Sequence, residues 1–250
     1  MDKRQSCAIA VMAKAPQPGR SKTRLCPPLL PEQAAALSAA FLRDVTENIC
    51  LAAQVEPISG YVAYAPEGSE SLLHPHIAAG TGLVLADGLG AMPDGVAGFG
   101  RSLFHAVTAL FARGHNAVCL LNADSPNLPT RFLCEAAAAL ARPGDRMVLG
   151  PADDGGYYLI GLKAPHAAVF ADIAWSTEHV SRQTLQRADA AGLDVELLPQ
   201  WFDVDDLASL ERLAAELGTQ SVGAVAYAAP ATRDWVSSSW PGLTRPSAHD

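Results

Sequence analysis

The sequence has little positive charge, few aromatic residues and no paired cysteines, and each shortage excludes something. Lys and Arg number 18 against 26 Asp and Glu, a formal charge of -8, so no general affinity for nucleic acid or an anionic membrane surface is expected. The five cysteines, Cys7, Cys26, Cys50, Cys119 and Cys134, include no C-x-x-C pair and sit mostly in apolar runs, where a thiol acts as a small hydrophobe. No apolar run approaches the ~20 residues of a membrane span, and Cys7–Ala13 is too short for a signal segment. A cytoplasmic protein with reduced thiols and no membrane span is expected. No G-x-S-x-G elbow supports a serine nucleophile. Aromatics are only 6%, yet hydrophobic residues reach 49% of the 250, which excludes disorder throughout and lets folding rest on apolar burial.

What is present is an alternation of short apolar runs with longer stretches spaced at three and four. The runs 7–13, 58–65, 83–86, 117–121, 146–150, 157–161 and 194–198 read as strands, several continuously apolar as in a buried parallel sheet. Between them, 31–53, 101–112, 130–141, 177–191 and 207–217 read as helices. The pattern predicts an α/β class with a mostly parallel sheet covered on both faces. A single domain over 1–218 is expected, followed by a loosely structured tail over 219–250 rich in Ala, Ser and Pro.

Charge is not spread evenly. Lys3, Arg4, Lys14, Arg20, Lys22 and Arg24 all precede Pro27, where Asp2 is the one acid. The stretch from Lys14 to Arg24 follows the first strand, where ligands bind in parallel α/β sheets. Gly19 and the prolines fix an irregular backbone, while Lys14, Lys22 and Arg24 offer cations to a diphosphate. A solvated basic loop is the plainer alternative. Ser21-Lys22-Thr23 is not a P-loop, because Ser21 and Pro16 stand where its glycines must be.

Three acidic stretches follow. Asp124, in Asn122-Ala123-Asp124-Ser125-Pro126, ends a central strand and is a candidate ligand for a hard divalent cation, or else a turn residue. Asp203 and Asp205 lie two apart, so in an extended segment they face one side and could share a metal, while Asp206 suits a helix N-cap. Asp153 and Asp154, in Ala152-Asp153-Asp154-Gly155-Gly156, read either as a hairpin turn or as groups that meet an acceptor hydroxyl.

The ordered set Lys14–Leu25, Asp124-Ser125-Pro126, Gly150–Gly161, Ile173-Ala174-Trp175-Ser176-Thr177 and Asp203-Val204-Asp205 resembles the nucleotide-diphospho-sugar transferase-like family associated with selenodomain and radical-SAM proteins. The resemblance spans roughly residues 8–217 and implies a GT-A-like three-layer α/β/α sandwich. It implies a glycosyltransferase with a nucleotide-sugar donor and a small-molecule acceptor, using Mg²⁺ or Mn²⁺. Nucleotidyl transfer from an NTP and a non-catalytic nucleotide-binding module are the alternatives. Lys14, Gly19, Lys22 and Arg24 would bind nucleotide, Asp124 with Asp203 or Asp205 the metal, and Asp153 or Asp154 would act as base or orient the acceptor. The chain departs from the family at Asp87–Met92, Asn122 and Asn127.

Overall fold

Residues whose side chains alternate between two apolar environments build the centre of the molecule. In the computed structural model, which describes residues 6–219 and 225–240, seven strands form one sheet. They are β1 (Cys7–Ala13), β2 (Ile58–Tyr64), β3 (Gly82–Leu85), β4 (Ala117–Leu121), β5 (Arg146–Pro151), β6 (Tyr157–Leu162) and β7 (Asp194–Leu197). Their spatial order is β3-β2-β1-β4-β6-β5-β7. All pairings are parallel except those of β6, which runs antiparallel to both β4 and β5.

One face of the sheet presents Ile9, Val11, Cys119 and Leu121 to Leu42, Val45 and Ile49 of α1 (Pro31–Ala52) and to Phe132 and Leu133 of α4 (Thr130–Ala141). Between them, α2 (Glu70–Leu73) is a single turn and α3 (Phe99–Ala112) lies on the opposite face. There Ala8, Ala10, Val118 and Leu120 meet Leu103, Val107 and Leu110 of α3 and Ala188 of α5 (Val180–Ala190). This is the expected three-layer sandwich. The strand readings match within a residue or two; α5 starts three residues later than expected, at Val180.

A third apolar cluster lies on the outer side of α1, where Leu37 and Phe41 meet Leu210 and Leu213 of α6 (Leu207–Thr219) and Trp235 and Val236 of α7 (Pro230–Ser239). The loosely structured tail expected from residue 219 onward is corrected here for residues 225–240. Helix α7 is polar in composition, but it buries Thr232, Trp235 and Val236. The fully buried Asp44 of α1 accepts hydrogen bonds from the amides of Ala231 and Thr232, holding the start of α7. Residues 220–224 and 241–250 of that tail lie outside the described residues. No helix among the described residues is long and apolar enough to cross a membrane.

Candidate active site

Parallel strands bring the loops after their carboxyl ends to one edge of the sheet. Here those loops enclose a cleft of about 730 Å³. Its basic wall is the loop after β1, which contributes Lys14, Arg20, Lys22 and Arg24. Gly19 shapes that loop with φ 72 but does not line the cleft.

The acidic wall is built by main-chain pairing between distant segments. The Val204 amide donates to the Asp124 carbonyl at 2.9 Å, and the Ser125 hydroxyl donates to the Phe202 carbonyl at 2.9 Å. Residues 201–205 therefore run beside the exit of β4. Phe202 and Val204 point into the third apolar cluster, so the alternation of an extended chain puts Asp203 and Asp205 on the other side, where Asp205 lines the cleft and Asp203 does not. Asp206 caps α6, accepting from the Ser209 amide at 2.8 Å, which holds its carboxyl below the usual range.

Lys22 joins the two walls. Its ammonium lies 2.6 Å from Asp124 Oδ1 and 3.4 Å from Asp205 Oδ1, and donates to the Val204 carbonyl at 2.5 Å. Its side chain is only 7% exposed, against 37% for Asp124 and 44% for Asp205, and it lies 5.2 Å above the Phe41 ring. Arg24 reaches the other oxygen of Asp205 at 3.6 Å.

Asp203 is pushed up to about 6, first by burial and then by the carboxylates of Asp154, Asp205 and Asp124. The carboxylates of Asp124, Asp154, Asp203 and Asp205 thus stand close enough to act on one another. Those carboxylates and the Val204 carbonyl are hard oxygen donors, the set a Mg²⁺ or Mn²⁺ ion takes. Among the described residues no three acidic, His or Cys side chains form a ready metal cage. Asp124 and Asp205 have the donor chemistry for such an ion, and Lys22 lies between them.

The two neighbouring aspartates part company. Asp154 lines the cleft, its Oδ1 fixed by the Gly156 amide at 2.8 Å. Asp153 does not line it and instead pairs with Arg212 of α6 at 2.8 Å. Gly155, which follows them, has φ +87, and a Cβ there would stand 2.3 Å from the Glu178 carbonyl. Only glycine lets this loop pack against the segment before α5.

Residues not singled out for a role by the sequence also line the cleft: Phe99, Tyr157, Trp175, Ser176, Thr177 and Glu178. The stretch from Ile173 to Thr177 carried a family signature without a spacing that suggests chemistry. Asn127, one of the departures, is fully buried and structural; its Oδ1 accepts from Trp201 and its Nδ2 donates to Glu216.

A structure from Desulfovibrio desulfuricans, provisionally named a nucleotide-diphospho-sugar transferase, shares 26% identity over 94% of each chain with a TM-score of 0.76. A cytidylyltransferase from Leptospira borgpetersenii matches at 11% identity over 98% of this chain and 100% of that one, TM-score 0.52. Glucosyl-3-phosphoglycerate synthase from Mycobacterium tuberculosis, solved with Mn²⁺, UDP and phosphoglyceric acid, matches at 12% identity over 86% of this chain and 78% of its own, TM-score 0.51. The last two show the fold alone. No curated protein matches the chain. The fold and class expected from the sequence, a nucleotide-utilising transferase, agree with the Desulfovibrio desulfuricans neighbour. Residues 49–177, just over half of the sequence, match a family model, and the chain belongs to that family, DUF2064, described as an uncharacterized protein conserved in bacteria.

Proposed function

We propose that the protein is a metal-dependent glycosyltransferase that takes a sugar from a nucleotide-diphospho-sugar and passes it to a small-molecule acceptor. The observation that carries this reading is the seat of Lys22, an ammonium ion held between Asp124 and Asp205 in a cleft whose other wall is basic. Carboxylates and cations side by side suit a diphosphate carried with a divalent cation.

In this reading Lys14, Lys22 and Arg24 bind the diphosphate, and Gly19 gives their loop its shape. Lys22 leaves the carboxylates for the phosphates when the donor enters. Asp124, with Asp203 or Asp205, would hold Mg²⁺ or Mn²⁺, which when bound supplies charge neutralisation for the departing nucleoside diphosphate. The cations of the basic loop are already in place when that charge develops, so little reorganisation is needed. An acceptor hydroxyl attacks the anomeric carbon, the bond from that carbon to the diphosphate oxygen breaks, and the hydroxyl proton goes to a base. Asp154, which lines the cleft, is the base in this reading; Asp153, paired with Arg212, takes an outer, supporting role in it. The catalytic unit, expected to end at residue 218, extends in this reading through α7.

Incubation with UDP- and GDP-sugars, and separately with the four NTPs, each with a mixture of free and phosphorylated sugars as acceptors and with Mn²⁺ or EDTA, tests the reading. Release of nucleoside diphosphate from one nucleotide-sugar, abolished by EDTA, is expected. Pyrophosphate released from an NTP would replace it with nucleotidyl transfer. No turnover of either class would leave only nucleotide binding.

A further inference from the structure

The cleft has a second half without cations. Every Lys and Arg lining it lies between residues 14 and 24, whereas residues 99 and 154–180 contribute aromatic, hydroxyl and acidic groups. The aromatic corner there is built deliberately tight. A Cβ at Gly98 would stand 3.2 Å from the Trp175 indole, and one at Gly100 3.0 Å from it and 2.9 Å from the Phe170 carbonyl. Glycine on both sides of Phe99 therefore lets the indole seat against the start of α3. The Phe99 ring meets it edge-on, centroids 5.8 Å apart at 87°, and is still 50% exposed.

The turn carrying Trp175 is fixed at several points. The Ala174 amide donates to the Gln183 side chain at 2.8 Å, and the Thr177 hydroxyl donates to the Ala174 carbonyl at 2.7 Å. Ser176 is held at φ 65, a left-handed conformation that side-chain-bearing residues enter rarely. The carboxylates of Asp154 and Glu178 line the same cleft. Tyr157 lines the same space, and its hydroxyl is buried without a hydrogen-bond partner.

Two fixed aromatic rings offer apolar area to the carbon face of a saturated ring, and the flanking carboxylates and hydroxyls suit its equatorial hydroxyls. The carboxylates repel a phosphate. We propose that Phe99 and Trp175 form the acceptor subsite, and that the acceptor is a neutral, hydroxyl-bearing ring, a non-phosphorylated sugar. This rests on the transferase reading above and adds the acceptor's class to it.

Saturation-transfer NMR tests it on the full chain with Mn²⁺ replaced by Mg²⁺ and with UDP or GDP present. The probes are the methyl glycosides of glucose, galactose and mannose, and the 6-phosphates of the same sugars. At least one neutral glycoside should take up saturation on its ring protons, and the 6-phosphates should not. Phe99→Ala, at an exposed position that should leave folding intact, should cut the signal at least fivefold, as should Trp175→Ala. The thermal shift caused by the nucleoside diphosphate is followed in parallel. Its absence in the wild type would remove the donor reading; glycoside binding would then still be scored by itself. The subsite is overturned if no neutral glycoside saturates, if the 6-phosphates saturate as strongly, or if both variants keep the full signal. Loss of the nucleotide shift in a folded Phe99→Ala would mean that the corner stacks a base instead, and would also overturn it.

Discussion

Lys22 sits at φ 48 and ψ 41, in the left-handed region where a side-chain-bearing residue costs of the order of 1–3 kcal/mol. Surrounding structure must hold it there, and the Ser21 hydroxyl does part of this by accepting from the Gln17 amide at 3.0 Å. Replacing Lys22 with Met keeps the stem over Phe41 but leaves Asp124 and Asp205 without their ammonium. Calorimetric titration of Lys22→Met should show nucleoside diphosphate binding at least tenfold weaker, a change of ~1.4 kcal/mol, while Mn²⁺ binding without nucleotide becomes tighter. Weaker binding of both would mean that Lys22 shapes the site rather than holding the cation's place. Ser176 shares the left-handed conformation, and Ser176→Gly should raise the melting temperature by roughly 2–4 °C if ~1 kcal/mol of strain is released. At this scale the sequence was half legible. Lys22 and Asp124 stand out by charge and place, but their contact joins residues far apart through an unusual backbone angle. Nothing in the dipeptide Asp153-Asp154 says which carboxylate enters the cleft, because the partner that removes Asp153 is Arg212, far along the chain.

Among the elements, the central strands were readable because both faces of the sheet are covered and runs such as those of β1 and β4 are apolar throughout. Helix α7 was not, because its residues Pro230–Ser239 are mostly polar and only one side packs on α1. Truncation after Thr219 should uncover Leu37 and Phe41, seen as a lower melting temperature and binding of a hydrophobic dye. Asp44 anchors this helix by taking the Ala231 and Thr232 amides at 3.0 and 2.7 Å, where the helix dipole also favours a carboxylate. Asp44→Ala leaves both buried donors unpaired and should cost about 1–3 kcal/mol in urea unfolding. Burial nonetheless outweighs these bonds and raises the Asp44 carboxyl above its ordinary 3.8. The folded protein therefore binds this proton more tightly than the unfolded chain. Its stabilising effect is full below pH 3.8 and fades as pH rises through the higher folded value. The stability difference between wild type and Asp44→Asn should accordingly shift in favour of the wild type as pH falls across that window. A difference that moves the other way would show that the two amides, not burial, dominate.

Across the whole molecule, the apolar clusters back the walls of the cleft. The cluster of α1, α6 and α7 carries Phe41 beneath Lys22 and Val204 between the two aspartates; the cluster of α3 and α5 carries Trp175. Segments from residue 14 to residue 205 thus contribute to one site. In the proposed function, cation and nucleotide binding would depend on each other, because an entering diphosphate would draw Lys22 away from oxygens that the metal would need, and such coupling must be reciprocal. The direct measurement is the free Mn²⁺ signal in electron paramagnetic resonance, titrated with wild-type protein alone and with UDP or GDP. Weak Mn²⁺ binding alone, tightened at least tenfold by one nucleoside diphosphate, is the expected result. Mn²⁺ bound equally well with and without nucleotide, or nucleotide bound equally well in EDTA, would contradict a shared site for Lys22, the aspartates and the diphosphate.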